Sequence, residues 1–490
     1  MMNLIELKQV SKIFRKCFSE TTIFKNINLT IQKGEFVVLR GENGAGKSTL
    51  LNLILGLIRP SQGEVKLMGI TPEDSASKLR VGVVLQETTI PKNLKVKELV
   101  QLIQSYYPQK YSVEDILRKV KLEDKSESWA SSLSGGQKQR LYFALALIGN
   151  PELLILDEPT RNLDDKGYKE FWEQITDCYM QGITILMVTN NKSDWVKLNH
   201  LATRYINLHK ITNSSFEGQL SEEINQTNNN QISIQKQQNT IIEKIPHNSY
   251  NYISKIFREQ FWVEIIQLLR TPTFLLGIAV FASFVSFLPF HGESAKEALV
   301  SFSILILLTI SIDRLGKRIS VERAEGWLKL LRATPLPPGI YIAAKVFTTL
   351  LLSAVILILI MIMGVLRLEI DVNPQQLLLL FIGLILGVIP FAILGLALSY
   401  LTEPKSYDSI AGLSIPIGLA TSGALQLTKP SFFPNIVLFS PFYHYRELTL
   451  WAAGINYDEH ILFHLLWLIW AGCVFGLLVI WAYQRDSVTE

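Results

Sequence analysis

Hydrophobic and polar residues follow two different patterns along the chain, and the change falls near residue 250. Before about Thr212, short runs of valine, isoleucine and leucine are separated by glycines and by longer charged segments with helical periodicity. Continuous apolar runs of this length are typical of strands that are buried on both faces. Four runs have this form: Phe36–Arg40, Val81–Leu85, Leu153–Leu156 and Ile183–Val188. They predict an α/β domain built on a mostly parallel sheet.

Beyond Tyr250 the apolar runs approach the length needed to cross a bilayer, about 20 residues. We expect an all-α transmembrane domain of six helices, with Pro390 predicting a kink in the fourth. The second run is the shortest, and a re-entrant or core helix is its alternative. The predicted spans are 274–290, 296–313, 346–366, 377–401, 409–428 and 461–483.

Composition agrees with a chain that lies partly outside water. Hydrophobic residues make up 48% and charged residues 18% of the 490 residues, whereas soluble domains carry about 25% charged residues. The net charge of +4 gives no reason to expect nucleic acid as a partner. The three cysteines share no metal-ligand spacing, so neither a zinc domain nor a disulfide scaffold is expected.

A polar segment separates the two halves. Asn225–Thr240 contains ten asparagines or glutamines in sixteen positions, which leaves too little apolar surface to offset the entropy of ordering. We expect a first domain at 1–212, a flexible linker at 213–249 and the transmembrane domain at 250–490, with a polar surface helix as the alternative for the linker. Tyr252–Arg270 has apolar residues at helical spacing. It predicts an amphipathic helix at the membrane surface, or else a cytosolic helix packed on the first domain.

Basic residues set the expected orientation. If the first domain is cytosolic, the inside segments carry twelve lysines and arginines and the outside loops carry four. The positive-inside rule then places both termini and the first domain in the cytosol. The sequence therefore predicts a multi-pass protein of the cytoplasmic membrane that contacts lipid.

A phosphate-binding motif follows the first predicted strand. Gly41–Thr49 (GENGAGKST) fits G-x-x-x-x-G-K-[ST] and opens a predicted helix at Lys47–Leu57, the context that this motif requires. Backbone amides and the helix N-terminus would face the phosphates of ATP. Lys47 would reach the β- and γ-phosphates, and the Ser48 hydroxyl would ligate Mg²⁺. The candidate nucleotide ligands here are Gly41, Asn43, Gly44, Gly46, Lys47, Ser48 and Thr49.

The strand Leu153–Leu156 ends in two carboxylates. Asp157 would hold Mg²⁺ through water, and Glu158 would orient or deprotonate the attacking water. A surface strand end is the alternative for this pair when it is considered alone. Its position downstream of the phosphate-binding motif favours the catalytic interpretation.

The segment Leu133–Arg140 (LSGGQKQR) lies between these two motifs and resembles the signature motif of ATP-binding cassette (ABC) transporters. The small residues, followed by a helix N-terminus, suit a γ-phosphate. The resemblance implies that this phosphate belongs to a nucleotide on a second chain, so a homodimer or heterodimer of half-transporters is expected. The residues that would bind it are Ser134, Gly135, Gly136 and Gln137.

The resemblance extends to further positions. Gln86 matches the glutamine that senses Mg²⁺ and contacts the membrane domain. Asp164 matches the D-loop, although Asn162 stands where glycine is usual. Phe14 matches an aromatic that stacks on adenine, and a core aromatic is an equal alternative.

One position departs from the family pattern. After Ile183–Val188 the family has threonine and then the H-switch histidine, whereas this chain has Thr189 followed by Asn190. Asparagine can donate a hydrogen bond to phosphate but cannot relay a proton. We therefore expect ATP binding with hydrolysis that is slow, unless a partner chain supplies an intact switch.

The second half resembles ABC-2 type exporters. The stretch ERAEGWLKLLRATPLPPG within Asp313–Lys345 is similar to their cytosolic segment between helices two and three, which implies docking on the ATPase near Gln86. A basic loop held at anionic lipid is the alternative. The aromatic segment Lys429–His460 resembles the short helices before the last span of ABC-2 and ABCG-like exporters. The resemblance implies ATP-driven export, with a membrane regulator of weak hydrolysis as the alternative and with lipids, drugs, glycans and peptides all open as substrates.

Overall fold

The computed structural model describes most of the chain and divides it into two compact units. The first unit comprises Met1–Val263, Glu325–Tyr341 and Ser487–Glu490, and the second comprises Glu264–Ala324 and Ile342–Asp486. The described residues are 2–16, 19–86, 88–108, 110–161, 163–209, 220–224, 249–271, 293–367, 373–422, 437–455 and 460–489. The first predicted span, most of the linker, the end of the fifth span and Asn162 lie outside them.

Two sheets organise the first unit. One has three antiparallel strands in the order β2-β1-β4, which the apolar pattern did not predict. The other has the order β5-β6-β7-β3-β8-β9 and is parallel except for its last pair. The strands are β1 Asn3–Lys16, β2 Ser19–Gln32, β3 Phe36–Gly41, β4 Gln62–Leu67, β5 Val81–Val84, β6 Leu153–Asp157, β7 Thr184–Val188, β8 Arg204–Leu208 and β9 Leu220–Ile224.

The four predicted strands are present to within one residue at each end, because their residues are buried on both faces of the sheet. The sheet continues beyond residue 212, where the sequence placed the end of the first domain. Strand β9 pairs with β8 from Leu208↔Leu220 to Arg204↔Ile224. It satisfies the backbone groups of an otherwise open edge, and half-buried Leu220 packs against the core.

Within the described residues up to 209, six α-helices lie between the strands. They are α1 Lys47–Ile54, α2 Val96–Ser105, α3 Val113–Lys119, α4 Gly135–Leu147, α5 Asp165–Met180 and α6 Lys192–Leu201. Helix α1 ends three residues before the predicted Leu57. Gly56 takes a φ of +65°, and a Cβ there would lie 2.5 Å from the carbonyl carbon of Pro72. The close approach of that loop requires glycine and ends the helix.

Two later segments also belong to the first unit. Helix α7 (Ser249–Leu269) lies in it up to Val263. The Tyr106 hydroxyl donates to Oε1 of Gln260 at 2.6 Å, and the Tyr252 hydroxyl donates to the Tyr106 carbonyl. This part of α7 therefore packs on the α/β domain, which was the alternative to a surface position at the membrane.

The second segment is Glu325–Tyr341, which carries the helix α10 (Trp327–Arg332). The Thr89 amide donates to the Glu325 carbonyl at 2.8 Å, and Nζ of Lys78 donates to the Arg332 carbonyl at 2.6 Å. Both ends of α10 are thus fixed by residues of the α/β domain. This segment therefore docks on the α/β domain at Thr89, close in the sequence to Gln86, as the resemblance implied.

Helices form the described part of the second unit. They are α8 Glu293–Leu308, α9 Leu315–Ala324, α11 Pro338–Arg367, α12 Pro374–Gly387, α13 Ile389–Leu401, α14 Pro404–Thr421, α15 Pro441–Ala452 and α16 Ile461–Thr489. Within the described residues, four continuous stretches are long and apolar enough to cross a membrane: Ala295–Ala324, Pro338–Leu366, Pro374–Leu401 and Ile461–Tyr483. The shortest predicted run, 296–313, is therefore part of a 30-residue helix.

That helix contains one π-helical stretch, Thr309–Arg314. A π turn leaves a carbonyl without its usual helical partner, and the hydroxyl of buried Tyr407 donates to the Ile312 carbonyl. The third stretch is interrupted at Val388, two residues before Pro390, as expected for a residue that lacks an N–H.

The aromatic segment before the last span contains the short helix α15. Tyr445 on this helix is fully buried and donates its hydroxyl to the Leu384 carbonyl at 2.7 Å. Its ring centroid lies 5.6 Å from that of Phe391. Tyr445 is consequently a core residue of the helical unit. Phe432 and Phe433 lie outside the described residues.

Candidate nucleotide site

The phosphate-binding loop connects β3 to α1. Gly44 and Gly46 both have positive φ, +82° and +97°. A Cβ on Gly46 would lie 2.7 Å from Cγ2 of Ile23 and 2.8 Å from the ring of Phe24. The loop can hold this shape only with glycine at Gly46, while Asn43, Gly44 and Ser48 remain exposed. An exposed helix N-terminus with free backbone amides is a suitable binding site for an anion.

Lys47 is buried and folds back along this loop. Its Nζ donates to the carbonyl of Gly41 at 2.7 Å and to that of Glu42 at 3.0 Å. Burial lowers the pKa of the Lys47 ammonium, and the charges of Glu158 and Asp157 act in the opposite direction. The cation thus lies in the field of both carboxylates at the end of β6.

Glu158 is held by two amide side chains. Nε2 of Gln86 donates to Oε2 at 3.0 Å, and Nδ2 of Asn190 donates to Oε1 at 3.2 Å. Asn190 also donates to Oδ1 of Asn43 in the phosphate-binding loop at 3.1 Å. The structure therefore brings together four predicted residues that are far apart in the sequence.

The backbone of Glu158 supports this arrangement. Its φ is +45°, a conformation that side-chain-bearing residues adopt rarely and often at functional sites. Its amide donates to the Val188 carbonyl at 2.8 Å. The bond joins the ends of β6 and β7, so Glu158 and Asn190 are positioned by neighbouring strands.

The signature segment begins helix α4. Ser134 is the N-cap: its hydroxyl accepts from the Gln137 amide at 3.3 Å, and Oε1 of Gln137 accepts from the Ser134 amide at 3.0 Å. This capping box stabilises the start of the helix. Ser134 and Gly135 are exposed, and Gly136 is half-buried. Their exposure leaves this helix N-terminus accessible to an anion.

Asp164 caps a helix, whereas Phe14 lies on a strand. Asp164 is the N-cap of α5, where its Oδ1 accepts from the Gly167 amide at 2.9 Å. Phe14 lies on β1, half-buried against the core, with Nζ of Lys12 4.8 Å from its ring centroid. Adenine stacking by Phe14 and a D-loop role for Asp164 stay predictions.

Sequence reasoning missed a buried polar cluster beside this site. Its buried members are Thr160, Thr189 and Asp194, which the exposed Asn191 joins, and Oδ2 of Asp194 accepts from both threonine hydroxyls. No motif marks it, because its residues come from two loops and the first turn of α6. A carboxylate shortly after the Asn190 position was the one available signal.

The donor set suits Mg²⁺ with ATP. Hydroxyl and carboxylate oxygens are the ligands that this hard cation prefers. Ser48 is exposed at the start of α1, and Asp157 ends β6 with only 7% of its surface exposed. Together with Gln86 they are the residues that would hold the ion, directly or through water. The fold and the site define a P-loop nucleoside triphosphatase.

Comparison with known proteins identifies the family. The ABC transporter family model matches residues 24–161. The chain is 36% identical over 219 residues to an uncharacterised ABC transporter ATP-binding protein of Methanocaldococcus jannaschii, covering 42% of this chain and 95% of that protein. The chain belongs to the ABC transporter family, and residues 24–161 are part of an ABC ATP-binding domain.

Other relatives are named as exporters. The Nod factor export ATP-binding protein I of Rhizobium meliloti is 35% identical over 182 residues, which is 36% of this chain and 54% of that protein. The macrolide export ATP-binding/permease protein MacB of Mannheimia succiniciproducens is 34% identical over 212 residues, 41% of this chain and 33% of that protein. The match thus spans about half the length of the first relative and a third of the second.

Proposed function

We propose that this chain is one half of an ATP-driven exporter of the ABC-2 type, similar to ABCG-like proteins. The observation that carries the proposal is Glu158 held between Gln86 and Asn190 beside the phosphate-binding loop, in a chain that also has four candidate membrane spans. A hydrolytic site and membrane helices in one polypeptide are what a half-transporter requires.

In the proposed reaction the loop amides and Lys47 bind the β- and γ-phosphates of ATP. Glu158 orients the attacking water through one carboxylate oxygen and accepts its proton as the water oxygen bonds to the γ-phosphorus. The bond from that phosphorus to the β–γ bridging oxygen breaks, and ADP leaves. Gln86 and Asn190 hold the carboxylate in place. When bound, Mg²⁺ neutralises phosphate charge, and Ser48 and Asp157 are the residues that would hold it.

A second chain completes each site in this proposal. The exposed N-terminus of α4, with Ser134 and Gly135, supports binding of the γ-phosphate of a nucleotide on the partner. The partner is another copy or a related half-transporter. We infer that ATP clamps the two ATP-binding domains together and that hydrolysis or nucleotide release separates them.

Transmission to the membrane would pass through α10. The Tyr142 hydroxyl on α4 donates to the Thr88 carbonyl, and the next amide, of Thr89, donates to Glu325. A movement of the signature helix is therefore linked by hydrogen bonds to the segment that precedes α10. We infer that this segment carries closure to the membrane helices and opens an outward path.

The location follows from the sequence pattern. We propose six spans in the cytoplasmic membrane, with the ATP-binding domain and both termini in the cytosol, membrane lipid as a partner and no nucleic acid partner. The transported class is left open among lipids, drugs, glycans and peptides.

Hydrolysis by the purified full chain in lipid nanodiscs tests the proposal. We expect MgATP turnover that is lost in Glu158→Gln, while the variant still binds a fluorescent ATP analogue. A wild-type rate equal to that of Glu158→Gln, with and without lipid, would exclude a homodimeric pump. Turnover that appears only after a second half-transporter is added would instead identify a heterodimer.

Asn190 favours a second candidate function, a membrane regulator that senses nucleotide with weak hydrolysis. The Asn190 amide can hold Glu158 but cannot exchange a proton with it. Persistent ATP binding without turnover in Asn190→His would support the regulator. Brisk wild-type turnover would exclude it.

A further inference from the structure

A buried carboxylate connects the two loops that carry Glu158 and Asn190. Asp194 is 0% exposed. Its Oδ2 accepts a hydrogen bond from the Thr160 hydroxyl at 2.8 Å and from the Thr189 hydroxyl at 2.5 Å. Thr160 follows Glu158 by two residues, and Thr189 immediately precedes Asn190. The Asp194 carboxylate therefore binds two loops at once: the loop that carries Glu158 and the loop that carries Asn190.

Asn191 closes the network from the other side. Its amide donates to Oγ1 of Thr189 at 3.1 Å, and its Nδ2 donates to Oγ1 of Thr160 at 3.4 Å. Each threonine hydroxyl thus donates to Asp194 and accepts from Asn191. The Asn191 side chain also caps α6 by accepting from the Ser193 amide at 3.1 Å. The Asn190 turn is held by bonds on both sides.

A buried charge is expensive unless hydrogen bonds and local dipoles compensate it. Two hydroxyl donors provide charge-assisted bonds to Asp194. Its position in the first turn of α6 adds the favourable end of the helix dipole. The second oxygen, Oδ1, is buried without a hydrogen-bond partner among the described residues, so the bonds to Oδ2 and the helix dipole are what stabilise the charge.

The same charge acts on the helix that follows the D-loop. Burial and the Asp194 charge raise the pKa of the Tyr168 hydroxyl to about 12. Tyr168 lies on α5, one turn after the N-cap Asp164. Asp194 is therefore adjacent to a third element of the site.

We propose that Asp194 is a positioning residue for ATP hydrolysis: through Thr160 and Thr189 it sets the contact between Glu158 and Asn190. This proposal rests on the proposed hydrolytic function. Asn190 is exposed and reaches Glu158 with a single bond of 3.2 Å, so a shift of a few tenths of an ångström in its turn weakens that bond. The buried network prevents this shift.

A matched test compares two threonines: Thr184, the first residue of β7, and Thr189, which directly follows this strand. Thr189 and Thr184 are 2% and 0% exposed, and each hydroxyl is hydrogen-bonded, but Thr184 bonds the Gly34 amide at the far end of the strand. In the full chain in nanodiscs we expect Thr189→Val to lower kcat about tenfold with KM for ATP within about twofold. Thr189→Ser should restore kcat, and Thr184→Val should leave it within about twofold.

A double-mutant cycle separates positioning from general stability. We expect Asp194→Asn to lower kcat about tenfold in wild type but by less than about twofold in Asn190→Ala, because the contact it positions is already gone. Binding of a fluorescent ATP analogue reports whether each variant is folded. If Asp194→Asn does not fold, the pair Thr189→Val and Thr189→Ser decides the question.

Three outcomes would overturn the inference. They are equal kcat in Thr189→Val and Thr184→Val, no recovery in Thr189→Ser, or additive effects of Asp194→Asn and Asn190→Ala. Failure of the proposed function has a different signature, because then wild type and Glu158→Gln hydrolyse ATP at the same background rate.

Discussion

Nδ2 of Asn190 lies 3.2 Å from Oε1 of Glu158 and donates a hydrogen bond to it. The bond holds one carboxylate oxygen while Gln86 holds the other. Asn190 therefore helps to fix the orientation of the Glu158 carboxylate. It has no proton to give up or accept at neutral pH.

This relationship predicts opposite effects of two substitutions. Asn190→Ala should lower kcat for ATP about tenfold, since it removes one hydrogen bond to a charged group, worth about 1.5 kcal/mol. Asn190→His should raise kcat, because imidazole can donate the same bond and also titrate. Steady-state hydrolysis in nanodiscs measures both. Equal rates in all three proteins would show that this position has no part in turnover.

The phosphate-binding loop predicts a difference between two glycines. Gly46 and Gly34 both have positive φ, +97° and +89°, but only at Gly46 does an added Cβ meet other atoms, at 2.7 Å from Ile23. Both alanine variants carry backbone strain of about 1 kcal/mol. Only Gly46→Ala also deforms the loop, so it should weaken binding of a fluorescent ATP analogue at least tenfold more than Gly34→Ala. Equal losses would mean that backbone strain alone matters.

The second unit contains a closed ring of partly and fully buried ion pairs. Nζ of Lys345 lies 2.9 Å from Glu264 and 2.6 Å from Glu322, and Arg318 contacts the same two carboxylates at 2.7 and 3.2 Å. The ring joins α7, α9 and α11. The Lys345 side chain is 1% exposed, so its removal takes one of the two cations out of this ring while both carboxylates stay, with Arg318 as the remaining cation in it.

We therefore expect Lys345→Met to destabilise the protein by about 3–5 kcal/mol. The matched control is Lys317→Met. Lys317 lies 2.9 Å from Asp408, but both side chains are about half exposed, 50% and 52%. An exposed pair contributes at most about 1 kcal/mol. Thermal unfolding of the purified variants compares them, and equal shifts in the midpoint would contradict the importance of burial.

Lys78, which binds the C-terminal end of α10, predicts a pH dependence. Burial lowers the pKa of the Lys78 ammonium from its usual 10.5 to about 8, against the smaller opposing effect of Glu73. The folded state therefore releases the proton before the unfolded state does. The free-energy cost of burying the charged Lys78 ammonium is fully present below pH 8. It declines as the pH rises from 8 towards 10.5, so the free energy of unfolding should rise in this window.

Between pH 7 and 9.5 the free energy of unfolding should rise by about 2 kcal/mol. We expect the thermal midpoint of wild type to rise relative to that of Lys78→Met over this range. The comparison removes the titration of other groups. A constant difference between the two proteins would show that Lys78 does not change its protonation state in this window.

Residues that are neighbours in the sequence made much of the site predictable. The phosphate-binding loop, the carboxylates after β6 and the cap at Ser134 each depend on a short segment and its own strand or helix. The four sheet strands were predictable for the same reason. Strands β1 and β2 were not, because buried and exposed residues alternate irregularly along them, with shifts in register at Leu7/Val10 and Lys12/Ile13.

By itself the sequence determined the chemistry of this protein: a phosphate-binding loop, a pair of carboxylates, a signature segment, an asparagine at the switch and long apolar stretches. Only the tertiary structure decided how these residues meet. Gln86 and Asn190 reach Glu158 because parallel strands bring their carboxyl ends to one edge of the sheet, and Asp194 enters the same region from α6. Such contacts depend on distances between separate elements, and no local pattern of residue types encodes them.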